Sequence, residues 1–270
     1  MTTTLLAHEF RRTRGFLGVV AGACILFVLV GTGIMLTMSV PLGALLSVGT
    51  LAGAPVIVLL GLAVDYWRSA YGRGGYLTHA LPVRGSAIYR ARLLYGTLVV
   101  FAGVVLTLGL AVLPFWAFAA GVAPPGVSAW THLGSLMAPI GQALSITTWI
   151  VLVAGVVGMA LAYLVQYYFA ASIGSEGRLA ALGPGGPILV WFALYLITQV
   201  LTFVSIVAVP LGLTVNDGVL HLVGVDYLAA MTSGADPTAM PFGMILLFVA
   251  LTLALVWRTA HSWDRRVTLR

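Results

Sequence analysis

The chain has 270 residues, of which 61% are hydrophobic and only 7% charged, with a net charge of +6. So few charges cannot cover a water-soluble fold, where about 25% charged residues is usual, and the composition points to an integral membrane protein. All thirteen bases are arginine, which excludes any chemistry that needs a lysine, such as a Walker-type phosphate cradle or a Schiff base.

Residues 1–15, including "LLAHEFRRTRGF", place Leu6, Phe10 and Leu17 near one helical face and Arg11 and Arg14 elsewhere. That spacing predicts a short amphipathic helix in the headgroup layer before the first span. The basic start and the apolar run to Cys24 have the look of a signal peptide, but the run continues well past the cysteine, and an uncleaved span is the simpler account. With one cysteine in the chain, no intrachain disulfide is available.

A spanning helix needs about 20 mostly apolar residues, because only such a helix satisfies its own backbone in lipid. Six stretches qualify: Phe16–Met38, Leu42–Val64, Leu93–Ala119, Ile140–Tyr168, Ile188–Leu211 and Pro241–Trp257. Their continuous apolar character excludes a β-barrel. The predicted fold is all-α, a single transmembrane domain over residues 1–270. Glycines at Gly18 and Gly22 in the first span, and at Gly49 and Gly53 in the second, are spaced for close helix approach.

Six crossings put residues 1–15, the loop 65–92, the loop 169–187 and the tail from Arg258 on one side. All thirteen arginines fall there, and the other side carries only Asp217, Asp226 and Asp236. The positive-inside rule makes the arginine side, and both termini, cytoplasmic. Tyr66, Trp67, Trp257 and Trp263 are expected as an inner aromatic belt, with Phe115, Trp116 and Trp130 as the outer one.

The loop 65–92 holds more than orienting charge. Tyr76, Leu77, Leu81, Pro82 and Val83 lie beside Arg73 and Arg84, a mixture that reads as a docking surface for a cytoplasmic partner, or else as a helix lying on anionic lipid. Ser86 is positioned to cap a helix running into the third span.

Chemistry is sparse elsewhere. "GPGGP" at Gly183–Pro187 reads as a turn, and no HExxH, CxxC or paired-carboxylate spacing occurs. Asp217, His221 and Asp226 could at most form a weak outer metal site, with three solvated polar residues as the plain reading. No acid or base lies mid-span, which argues against ion-coupled transport. In the fifth span Thr198, Thr202 and Ser205 share a face with Gln199 beside them, a stripe that serves helix packing or lines a pathway. In the fourth, Gln142, Ser145 and Trp149 lie near one face.

Taken together, the Arg-rich start, the six spans and the loop "RGGYLTHALPVRGSAIYRARLL" resemble the permease subunit of an ABC-2-type ABC transporter. The loop residues that carry the resemblance are Gly74, Gly75, Leu77, Leu81, Pro82, Val83 and Arg92. The resemblance implies a coupling helix in this loop, two copies of a separate ATPase subunit that binds ATP and Mg, and a second permease copy or sister permease. It also implies short outer re-entrant helices in the connection 212–240, where "GVLHLVGVDYLAAM" is apolar enough to dip into the outer leaflet. The expected function is ATP-driven export of a hydrophobic or amphipathic substrate (a lipid, peptide or drug) across the bacterial cytoplasmic membrane. On that reading the chain is not itself an enzyme, holds no cofactor and binds no nucleic acid. Two alternatives are a non-transporting regulatory, immunity or sensor subunit and an intramembrane enzyme; for the second, no reactive groups share a depth.

Overall fold

A computed structural model describes residues 2–72, 75, 83–233 and 239–265. Helix dominates. In chain order come α1 (Thr2–Thr37), α2 (Val40–Ala70), α3 (Gly85–Val122), α4 (Ala129–Ala143), α5 (Ile146–Ile173), a 3-10 helix (Gly177–Leu182), α6 (Gly185–Ala208), β1 (Leu211–Asn216), β2 (Val219–Gly224), α7 (Tyr227–Ser233), β3 (Met240–Pro241) and α8 (Phe242–Arg265). Among the described residues six helices, α1, α2, α3, α5, α6 and α8, are long and apolar enough to cross a membrane, and the chain is a multi-pass membrane protein. At 1.5 Å per residue the 38 residues of α3 run about 57 Å, well beyond a hydrocarbon core of about 30 Å.

Packing divides the chain into two compact units. The first is Met1–Leu62 with Leu94–Ala143, and the second is Ala63–Leu93 with Leu144–Arg270. Helices α2 and α3 carry the chain from one to the other.

In the first unit α1 and α2 form a hairpin closed within Met38 and Ser39, whose amides both donate to the Ile34 carbonyl. Gly31 and Gly43 bring the two backbones together: a Cβ on Gly31 would meet Ser47 and the Gly43 carbonyl, and one on Gly43 would meet the Gly31 carbonyl and Met35. The expected close-approach glycines do not serve this purpose. A Cβ on Gly18, Gly22, Gly49 or Gly53 would meet nothing within 4 Å. Cys24, Val28 and Leu51 form a small core with Leu110, Ala111 and Leu113.

The predicted separate N-terminal helix is not a separate element. Residues 2–15 are helical but continue without a break into the first span, since nothing in "RRTRGFLG" stops a helix. Phe10 is exposed, whereas Glu9 and Thr13 are buried, and Thr13 hydrogen-bonds the Tyr95 hydroxyl.

In the second unit Val165 on α5, Leu194 on α6 and Leu255 on α8 make a core with Leu93, Phe169, Leu251 and Val256. The fourth span begins at Ile146 and not at Ile140. Ser145 caps it, accepting from the Thr148 amide at 3.2 Å, and Gln142 belongs to the separate helix α4.

The connection after α6 also departs from expectation. Re-entrant helices were expected over 212–240, and an all-α fold with them; the chain instead forms an antiparallel hairpin, β1 with β2, and β3 pairs with the other edge of β1. Among the described residues of this connection only Tyr227–Ser233 is helical. The reason lies in Asn216-Asp217-Gly218. Asp217 at φ 50° and Gly218 at φ 75° form the left-handed pair that closes a two-residue hairpin turn. The Ser145 amide and the Thr148 hydroxyl donate to the Gly218 carbonyl at 2.8 and 2.7 Å, which seats the hairpin tip on the start of α5.

Candidate functional site

Within the second unit the C-terminal ends of α2, α5 and α8 meet the first turns of α3. The hairpin tip lies at the opposite end of α5. This meeting point flanks both sides of residues 73–82, and it is the most polar and aromatic cluster that the described residues make.

Tyr66 is its centre and is 1% exposed. Its ring stacks on Tyr168 with centroids 4.1 Å apart and planes 9° apart. Its hydroxyl takes the indole N–H of Trp263 at 2.6 Å and lies 2.7 Å from the Ser172 hydroxyl. Arg92 is buried (4% exposed), with its guanidinium carbon 5.6 Å from the Tyr66 ring centroid and 5.4 Å from that of Trp263. A cation held against two aromatic faces away from water is favourable by about 2 kcal/mol. Tyr71 closes the group, its ring 5.9 Å from Trp263 at a steep angle. Burial pushes the Tyr71 phenol well above its ordinary value.

Two polar links extend the cluster. Glu176, just past α5, accepts from both terminal nitrogens of Arg258 at 3.2 and 3.0 Å, and from the Ser262 hydroxyl at 2.5 Å. At the start of α3 the Ser86 amide donates to the Asp264 carboxylate at 2.8 Å. Ser86 therefore does not cap α3 with its own side chain, as expected; a carboxylate from the far end of the chain does so, where the helix dipole favours negative charge. Trp67 adds an indole N–H to the Ser175 hydroxyl at 3.2 Å.

Of the expected docking residues, Arg73, Tyr76, Leu77, Leu81 and Pro82 lie outside the described residues. Val83 is half-buried and Arg84 exposed at the start of α3. Tyr66 and Trp263, expected in a lipid-facing belt, are instead core residues, because each finds a hydrogen-bond partner inside the protein. Trp257 is exposed, as a belt residue should be.

Along α6, Thr198, Thr202 and Ser205 are half-buried and Gln199 is exposed. Ser205 donates to the Thr202 carbonyl at 2.8 Å. Asp217 and Asp226 are put to local use. Asp217 sits in the hairpin turn, and Asp226 accepts from the Ala229 amide at 2.9 Å, capping α7. Among the described residues no group of three or more His, Cys, Asp or Glu side chains is placed to hold a metal ion.

Tyr168, Ser172, Glu176, Arg258, Ser262 and Asp264 were missed by sequence reasoning. Their one visible signal is that aromatic and small polar residues gather at the arginine-bearing ends of the spans. Compared with family models, curated proteins and solved structures, the chain matches none.

Proposed function

We propose that the chain is the membrane subunit of an ATP-driven exporter of the ABC-2 type, with residues 73–84 as the contact for a separate ATPase. The observation that supports this is the fastening of both flanks of that segment. The end of α2 and the beginning of α3 are tied to α5 and α8 through Tyr66, Arg92 and Trp263 and through the Asp264 cap. A partner that pushes on the segment then acts on several spans together, which is what coupling to an ATPase requires. On this reading the arginine side is cytoplasmic and the membrane is the bacterial inner membrane. The stripe Thr198, Gln199, Thr202 and Ser205 borders a path completed by a second permease, to which exposed Gln199 and half-buried Thr202 and Ser205 contribute amide and hydroxyl groups suited to amphipathic cargo. ATP biases the two states, and the permease supplies their different affinities for substrate.

The test is to find whether a neighbouring reading frame encodes an ATPase with the motifs this chain lacks, and to co-express the two and purify through a tag on this chain. The ATPase is expected to co-purify and to be stimulated in the complex. Leu77→Asp with Leu81→Asp is expected to lower its recovery at least tenfold while the chain still inserts and purifies. Undiminished recovery and stimulation with that variant would remove residues 73–84 as the contact.

A further inference from the structure

Helix α4 is not one of the six spanning helices and plays no part in the proposed coupling. It has no buried residue, yet its side chains are sharply sorted. At 3.6 residues per turn Trp130, Leu133, Leu136, Met137 and Ile140 fall within an arc of about 120°. Thr131, Ser135 and Gln142, with His132 at the margin, fall on the opposite side. Trp130 is 62% exposed, and Leu136, Met137 and Ile140 are exposed with it. A monomer that left this stripe in water would be expected to aggregate.

Two observations say what covers it. The first is continuity with the membrane-facing surface of α3. The last turns of α3 expose Phe115, Phe118 and Val122, residues 123–128 then lead into α4, and Trp130 returns to pack on Trp116 with ring centroids 6.0 Å apart. The lipid-facing surface of a span thus runs directly onto the apolar side of α4, and indole rings favour the level where hydrocarbon meets headgroups. The second is charge. No Asp, Glu, Lys or Arg occurs between Arg92 and Glu176, so neither a charged protein surface nor an anionic lipid finds a counter-charge on this helix.

We propose that α4 is an uncharged interfacial helix whose partner is the lipid surface itself, with its apolar side immersed at the headgroup–acyl boundary and its Thr, Ser and Gln side in water. Hydrophobic insertion alone holds it, so its immersion follows how loosely the lipids pack and not how negative they are. An interfacial helix that draws on anionic lipid carries Lys or Arg on its polar side; this one has neither.

The experiment uses the full chain, with Cys24→Ser, reconstituted in dioleoyl-phosphatidylcholine vesicles and carrying a nitroxide at Met137→Cys or at Ser135→Cys. The Met137 site is expected to be several-fold more accessible to oxygen than to an aqueous nickel complex, and the Ser135 site the reverse. Tightly packed saturated phosphatidylcholine is expected to lower the Met137 ratio at least twofold. Adding phosphatidylglycerol at constant acyl composition is expected to change it by less than that. Equal exposure of both sites to the nickel complex would overturn the proposal. So would shielding of Met137 from both reagents, which means a protein cover, or spin–spin broadening between labels, which means a second copy. A ratio set by phosphatidylglycerol content would also overturn it.

Discussion

Arg92 sits where an arginine and a lysine differ most. The guanidinium is flat and weakly hydrated, so it lies against the rings of Tyr66 and Trp263 while buried; an ammonium there would keep its demand for water and lose the stacking. Arg92→Lys is therefore expected to lower the thermal unfolding midpoint in detergent, with Arg92→Ala lower still, by about 2 kcal/mol or more from the two lost cation–π contacts and the space left behind. A lysine variant as stable as the parent would show that charge alone suffices. Tyr66→Phe isolates the hydrogen bonds in the same cluster. It keeps the ring and leaves the Trp263 indole N–H without its acceptor, which is expected to cost about 1–3 kcal/mol. None of this was legible from composition. Tyr66 and Trp263 read as belt aromatics because that reading uses local position alone, whereas their burial depends on partners up to 197 residues away. Asp264 and Ser86 are hidden for the same reason, being 178 residues apart.

At the scale of helices, what the sequence made plain was the existence of each span, because lipid demands long apolar runs and tolerates few exceptions. Boundaries were less plain. The fourth span begins at Ile146 because α4 stops at Ala143 and Ser145 caps the next helix, a local signal outweighed by the apolar residues on either side. The hairpin after α6 was hidden by its apolar residues, which suit strands as well as shallow helices; the Asp217-Gly218 turn was the available cue. The glycines separate the two kinds of small-residue spacing cleanly. Gly43→Val must push against the Gly31 backbone, and about 1–3 kcal/mol of destabilisation is expected from the forced separation. Gly49→Ala meets open space and is expected to leave the midpoint unchanged or raise it slightly, by up to about 1 kcal/mol of helix propensity. Thermal melts of both variants in the same detergent check the contrast, and equal losses would mean that the α1–α2 contact is not the one described.

For the molecule as a whole, the charge pattern carries the orientation. With all thirteen arginines assigned to one side by six crossings, single cysteines at Arg14, Arg84 and Arg178 in a Cys24→Ser background are expected to react with an impermeant maleimide only in inverted vesicles, and one at Ser128 only in intact cells. Labelling of Arg84 and Arg178 from opposite sides would break the six-span count. The Tyr66 cluster has one more consequence at this scale. Because the end of α2 and the start of α3 are bonded to α5 and α8, a load carried by either of them under the proposed coupling is shared among four helices. On the proposed coupling role, that shared load has a route along α5 to its other end, where Ser145 and Thr148 hold the hairpin tip.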